Sequence, residues 1–250
     1  MKIATFNIRY ADAPNDGENS WENRRQFVAN WINRYAPDVL GIQEVLPRVR
    51  EELISLLPDY YILGAAREGD YTGEASPIAL RKDRLEPLEL YNIWLSPRPF
   101  TVNSRFDGND GHARICTSIL ARDKQSGKII RLLNTHLDCM YPEIRAKQLA
   151  VIENFYLNQW SKYPTMLTGD FNAEPDELAP FIKFCGFTDI TTPEHIDSEY
   201  TYHDFFRSDD QFKIDYILVS PDIESSKTWC DKSIEPMLSD HFPIISNVKI

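Results

Sequence analysis

The sequence predicts an α/β protein in which two packed mixed β-sheets are flanked by helices. Three observations lead there. Short β-type runs, each ending in polar residues, recur along the whole chain. Three longer stretches carry helical periodicity instead. The order is β-α-β-α-β, further strands, β-α-β, and strands again, so strands outnumber helices. Two sheets packed face to face with helices outside would use all of these elements. No repeat, low-complexity block or Pro/Gly-rich linker interrupts the chain, and its 10 Gly and 16 Pro are scattered. Residues 1–250 therefore read as one domain.

Taken in order, Ile3–Ile8 is the first strand. Trp21–Tyr35 follows as a helix, with Phe27, Val28, Trp31 and Ile32 on one side, and Pro37 stops it. Val39–Ile42 is a strand. Pro47–Leu57 is a helix with Val49, Leu53, Leu56 and Leu57 inward. Tyr60–Leu63, Ile78–Leu80, Leu88–Trp94, Ile115–Ala121 and Ile129–His136 are strands. The longest helix is Pro142–Trp160, with Ile144, Leu149, Ile152, Phe155 and Tyr156 inward and Pro142 in its first turn. Thr165–Thr168, Ile214–Val219, Ser226–Cys230 and Ile244–Ile250 complete the strands. Asp12–Ser20, Arg67–Ser76 and Pro97–Arg114 are polar, turn-rich segments expected to form a rim.

Composition excludes several functions. The chain has 27 Lys+Arg against 38 Asp+Glu, a net charge of −11. Such an acidic protein releases few counterions from a polyanion, so long polynucleotides are disfavoured as partners, as are anionic membranes. No apolar run approaches the roughly 20 residues of a membrane span. Met1–Asn7 lacks the basic and apolar regions of a signal peptide. A cytoplasmic location and no membrane partner are the expectation. Cys116, Cys139, Cys185 and Cys230 form no CxxC pair and are expected as buried free thiols.

Chemistry gathers at the strand ends. Asn7 ends the first strand and Glu44 follows the second. Asn134, His136 and Asp138 alternate onto one face. Asp170 and Asn172 fall in Gly-Asp-Phe-Asn, Asp215 opens Asp-Tyr-Ile, and Asp240-His241 precedes the last strand. Strand ends of an α/β core are where ligand groups converge. Carboxylates and carboxamides suit Mg²⁺ or Mn²⁺ rather than zinc. Glu44 and Asp240 could hold the ion. Asn7 and Asn172 could touch it or orient a phosphate oxygen, and Asp170 or His241 could activate water.

Together, Thr-Phe-Asn-Ile around Asn7, Gln43-Glu44, Asn134–Asp138, Gly169–Asn172, Asp215–Ile217 and Ser239–Pro243 resemble the endonuclease/exonuclease/phosphatase superfamily, in its order from residue 3 to residue 245. The resemblance implies a four-layer, DNase-like α/β sandwich and a metal-dependent phosphoesterase. It implies Glu44 as principal metal ligand, with Asp240 and Asn7 near the ion. Asp170 then orients or deprotonates water, and Asn172 contacts phosphate or metal. His241 stands beside the scissile phosphate paired with Asp215, and His136 is a second phosphate-facing group.

The substrate is less legible. Arg67, Arg81, Arg98, Arg105, His112 and Arg114 are the basic residues nearest the expected rim; Arg105 and Arg114 could grip a second phosphate or a sugar. Trp21, Trp94 and Tyr71 could stack a base or sugar, although Trp94 lies in an apolar run and reads as core. Arg145 reads as an ion pair. No basic stripe with interleaved aromatics marks a polynucleotide path. Trp229–Lys232 resembles a stretch of the polyphosphate phosphatases only superficially. With Trp21–Arg25, the outline is most similar to small bacterial-type members, loosely akin to deadenylase catalytic domains. The leading reading is hydrolysis of a phosphorylated small molecule or short nucleic acid by in-line attack of water, with Mg²⁺ or Mn²⁺. A DNA or RNA nuclease is the alternative, and a non-catalytic binding protein retaining the fold is the third.

Overall fold

The computed structural model describes residues 1–250. The chain begins with β1 (Lys2–Asn7), α1 (Trp21–Tyr35), β2 (Val39–Gln43), α2 (Pro47–Leu56), β3 (Tyr60–Leu63) and β4 (Ile78–Arg81). β5 (Leu85–Trp94), β6 (Ile115–Asp123) and β7 (Ile129–His136) follow. α3 (Pro142–Asn158) leads to β8 (Thr165–Asp170), α4 (Pro175–Cys185) and the short β9 (Thr188–Asp189). A single turn, α5 (Pro193–Ile196), precedes β10 (Asp215–Val219), β11 (Glu224–Cys230) and β12 (Ile244–Lys249). No helix is long and apolar enough to cross a membrane.

The strands form two six-stranded sheets, ordered β11-β12-β1-β2-β4-β3 and β5-β6-β7-β8-β10-β9. Each has one parallel pair at its heart, β1 with β2 and β7 with β8. A parallel pair needs a long crossover, and α1 and α3 provide it. Side-chain alternation then separates the layers. Ile3, Val39, Leu132, Met166, Ile217 and Ile244 pack between the sheets. Ala4, Phe6, Leu40 and Ile42 face α1 and α2 on one outer side, and Leu133, Leu167 and Leu218 face α3 and α4 on the other. The result is the expected four-layer sandwich of helices, sheet, sheet and helices.

Several local expectations shift. α4 lies outside the expected helices because Pro180 interrupts it, although Pro175 in its first turn and Gly186 just past its end mark its limits. β5 begins at Leu85, ahead of the expected Leu88. Pro87 reads against a strand interior, but β5 is an edge strand with a register shift between Pro87 and Glu89. The long helix ends at Asn158, and Trp160–Lys162 forms a separate 3-10 turn. Phe27 is exposed, since α1 turns Trp21, Arg24, Val28, Ala29, Trp31 and Ile32 inward instead. Cys139 is exposed, while the other three cysteines are buried and free as expected.

Candidate active site

Register brings the site together. In the second sheet His136 pairs laterally with Asp170, and Asp170 with Asp215, across three adjacent strands. In the first sheet Asn7 pairs with Gln43, one residue before Glu44. Both parallel units therefore deliver their polar C-terminal ends to one edge of the sandwich. Gly169 permits this: a Cβ there would lie 2.5 Å from the Thr135 carbonyl oxygen. Arg9, Glu44 and Asn172 adopt positive φ, at 67°, 63° and 47°. Non-glycine residues in that region are strained and persist where the surrounding structure over-determines them.

Asn7, fully buried, is the hub. Its Nδ2 donates to Glu44 Oε1 and to Asp170 Oδ2, both at 2.9 Å, while its Oδ1 accepts from the Arg9 main-chain N–H at 2.9 Å. As placed, Asn7 orients two carboxylates with its nitrogen rather than offering its oxygen to an ion. Glu44 also accepts from the Tyr10 main-chain N–H. Burial, with the carboxylates of Glu74 and Asp240 nearby, pushes the Glu44 carboxyl up to about 7. Asp170 Oδ1 accepts from the Asn172 main-chain N–H at 2.9 Å. Burial and the Asp215 carboxylate raise Asp170 to about 6.

Asp215 Oδ2 lies 2.8 Å from His241 Nδ1, and His241 Nε2 lies 3.8 Å from Asp170. Burial by itself disfavours the imidazolium, but Asp215, Asp170 and Asp240 outweigh it and raise His241 to about 10. His136 is the opposite case: burial, with Arg114, Arg67 and His241, holds it well below the usual range, so it is neutral. Its Nε2 is 3.6 Å from Asp170 Oδ2. Asn172 borders the cavity and donates Nδ2 to the Leu137 carbonyl. Asp240 pairs with Arg9 Nη1 at 3.0 Å. Two acid/His groups have donor atoms close enough to share an ion, Glu44 with His136 and Asp170, and Asp170 with Asp215 and His241.

Other motif residues do structural work. Asn134 lies between the sheets, donating to the Ile42 and Pro77 carbonyls at 2.9 Å and accepting from Gln43 and Thr168. Asp138 caps the turn before α3, accepting from the Met140 and Tyr141 N–H groups. The sequence reading missed Arg9, Tyr10, Glu74, Tyr202 and Phe212, which all line the cavity. Arg9 and Tyr10 directly follow the Asn7 motif, and that adjacency was a usable signal. Also missed is buried Arg24, which ties the Ile8 carbonyl to the Leu238 carbonyl, at 2.8 and 2.7 Å, and so anchors the loop carrying Asp240 and His241.

Around these groups lies a cavity of about 1190 Å³. Of the expected rim segments, Arg67–Ser76 and Pro97–Arg114 contribute to it. Asp12–Ser20 does not line it, because Asp16 turns inward to pair with Arg9 and Arg207. Arg67, His112, Arg114 and Arg145 line the cavity, whereas Arg81, Arg98, Arg105, Tyr71, Trp21 and Trp94 do not. Arg81 pairs with Asp38 and Asp83. Trp94 is core, its Nε1 donating to the Arg67 carbonyl at 2.8 Å. Arg145 is buried and pairs with the half-buried Glu177.

Comparison with known proteins bears on this arrangement. The sequence model of the endonuclease/exonuclease/phosphatase family matches residues 4–241. A solved structure of an endonuclease/exonuclease/phosphatase from Bacteroides vulgatus is 31% identical, with TM-score 0.91, covering 100% of this chain and 98% of that one. A mannosyl-6-phosphatase from Bacteroides thetaiotaomicron is 25% identical, with TM-score 0.88 and complete coverage of both chains. An uncharacterised mimivirus protein is 29% identical over 170 residues, 65% of this chain and 63% of its own length. Two further curated relatives are matched over only 38% and 42% of their lengths.

Proposed function

The chain belongs to the endonuclease/exonuclease/phosphatase family, whose members are hydrolases of phosphate esters, and from that premise we propose that it hydrolyses a small or short phosphorylated substrate with a divalent cation. The observation that carries this reading is the pair of carboxylates, Glu44 and Asp170, held by one Asn7 amide beside the Asp215–His241 pair.

The donor set fits Mg²⁺ or Mn²⁺. Its oxygens are hard, and the raised Glu44 and Asp170 carboxyls mark negative charge without a sufficient counter-charge. Glu44 would be the principal ligand, with Asp240 beside it and Asn7 keeping Glu44 in place. A bound cation supplies charge neutralisation of the phosphate and stabilisation of the leaving oxygen. Asp170, fixed through both oxygens, orients the attacking water and takes its proton; a carboxylate near 6 is basic enough for that near neutral pH. Cationic His241, held by Asp215, donates a hydrogen bond from Nε2 to the phosphoryl oxygen as charge builds. Neutral His136 and Asn172 flank the same oxygens. The mannosyl-6-phosphatase likeness and the net charge of −11 favour a small ester over a long polyanion.

Hydrolysis of mono- and bis-p-nitrophenyl phosphate with Mg²⁺ or Mn²⁺ tests the reading. Turnover should vanish with EDTA, and Asp170→Asn, Glu44→Ala and His241→Ala should each lose at least ~10²-fold in kcat. Turnover indifferent to EDTA, or an Asp170→Asn variant of full activity, would overturn it.

A further inference from the structure

The cavity continues past His136 into a lobe walled by charged side chains from separate segments. Arg67, Glu68 and Glu74 come from the β3–β4 connection, Arg114 from just before β6, Arg145 from α3 and Glu177 from α4. Every arginine there already has a carboxylate. Arg67 Nη1 lies 2.9 Å from Glu74, Arg114 Nη2 lies 2.5 Å from Asp110, and Arg145 is bidentate to Glu177 at 2.6 and 2.7 Å. Glu68 sits 3.5 Å from Arg67 Nε, and Glu174 lines the same wall. Carboxylates outnumber guanidinium groups, so no net positive charge is left for a second phosphate.

Hydrogen-bonding capacity does remain. Arg114 is only 4% exposed, and its Nε and Nη1 meet no acceptor in the protein. A buried donor without a partner is costly, and a ligand that supplies the acceptor relieves that cost. The aromatic residues of the cavity lie elsewhere: Tyr10 beside Glu44, and the stacked Tyr202–Phe212 pair beside His241. The lobe's one ring is the exposed His112 imidazole, 3.7 Å from Glu68, and it offers a nucleobase no Trp, Tyr or Phe face.

We infer that this lobe binds the neutral, polyhydroxylated part of the substrate, which makes the substrate a sugar or polyol phosphate bearing a single phosphate group. The inference rests on the phosphoesterase reading above and specifies its substrate class. A hydroxyl both donates and accepts. Vicinal hydroxyls accept from Arg114 and donate to the free lone pairs of Glu68 and Glu74, leaving each ion pair in the wall intact. A phosphate in the same place meets Glu68, Glu74 and Glu174 instead. Arg114 and Glu68 are thus residues of specificity.

The test compares hexose 6-phosphate, hexose 1,6-bisphosphate, 5′-AMP and p-nitrophenyl phosphate with the Mg²⁺-loaded enzyme. The hexose monophosphate should have the highest kcat/KM, by at least about tenfold over the others. Glu68→Gln and Arg114→Met should each cut its advantage over p-nitrophenyl phosphate by about tenfold or more, chiefly through KM. Glu68 is at the cavity edge, so its variant guards against a folding defect in the buried Arg114→Met. A preference for the bisphosphate or 5′-AMP, with p-nitrophenyl phosphate still hydrolysed, overturns the polyol assignment and leaves phosphoester hydrolysis standing. An unchanged advantage in both variants overturns it as well. If none of the four monoesters is hydrolysed with metal while bis-p-nitrophenyl phosphate is, the polyol assignment falls and phosphoester hydrolysis stands; if that diester is inert as well, the phosphoesterase reading falls and the assignment with it.

Discussion

His241 and His203 are both buried and close enough to repel one another, yet they sit on opposite sides of neutrality. His241 faces Asp215, Asp170 and Asp240 and is raised to about 10. His203 is packed between the rings of Phe206 and Phe242, and neither of its ring nitrogens has a partner. Burial, and then the His241 charge, lower it to about 4. The signs follow from linkage. His241 contributes stability that is present below its unfolded value of about 6.5 and is lost as pH rises through about 10. Asp215→Asn should move the His241 titration, followed by NMR of the ring protons, down from about 10 toward 6.5; an unmoved titration would sink the pairing. His203 is neutral when folded but protonates below about 6.5 when unfolded, so it costs stability increasingly from about pH 6.5 down to 4, by roughly 3 kcal/mol at most. His203→Phe should flatten the acid side of a stability-versus-pH curve measured by urea unfolding. Sequence alone distinguished His241, because Ser-Asp-His-Phe-Pro is a motif, and nothing in Tyr-His-Asp marked His203.

The elements that carry the site also lock the two sheets together. Asn134 on β7 satisfies carbonyls of Ile42 and Pro77 from the other sheet, and it reaches them because Gly41 on β2 leaves room. A Cβ at Gly41 would stand 2.1 Å from Thr168 Oγ1 and 2.5 Å from Asn134 Oδ1. Gly41→Ala should therefore destabilise by about 1–3 kcal/mol through overpacking. Asn134→Leu should cost at least ~3 kcal/mol, since several buried groups lose partners at once. Denaturant midpoints would measure both, and a neutral Gly41→Ala would show that the sheets can part without penalty. The strands were legible because apolar alternation survives at this level: Ile3, Thr5 and Asn7 fall on one face whatever packs against it. The role of Asn134 was not. Period-2 alternation places it with His136 and Asp138, but it cannot say that the facing sheet would come close enough to claim its amide. α4 escaped for a different reason: a helix with an internal proline does not look like one locally, and its packing beside α3 stabilises it.

At the scale of the whole molecule, the net charge of −11 divides into two parts. Some of it is concentrated where Glu44, Asp170, Asp215 and Asp240 meet. A cation bound there would displace protons from Glu44 and Asp170, whose carboxyls are raised to about 7 and about 6. Stabilisation by Mg²⁺, read as a rise in Tm, should therefore be small at pH 5 and grow as pH rises through 6 to 7; a pH-independent rise would place the ion elsewhere. The rest of the charge lies outside the site and opposes polyanions. Hydrolysis of the preferred ester should depend only weakly on salt, without the steep logarithmic fall of a phosphate-tracking nuclease. The sequence by itself determined the layers, the family and which polar groups stand at the strand ends, because these depend on local alternation and on residue types kept in short motifs. Only the tertiary structure decided that Asn7 serves as a clamp between carboxylates, that Arg9 holds Asp240, and that Arg67, Arg114 and Arg145 of the cavity are already paired with carboxylates. Those outcomes depend on which side chains from distant segments meet in a medium of low dielectric, where partner and distance set charge state and hydrogen bonding, and no local pattern encodes such meetings.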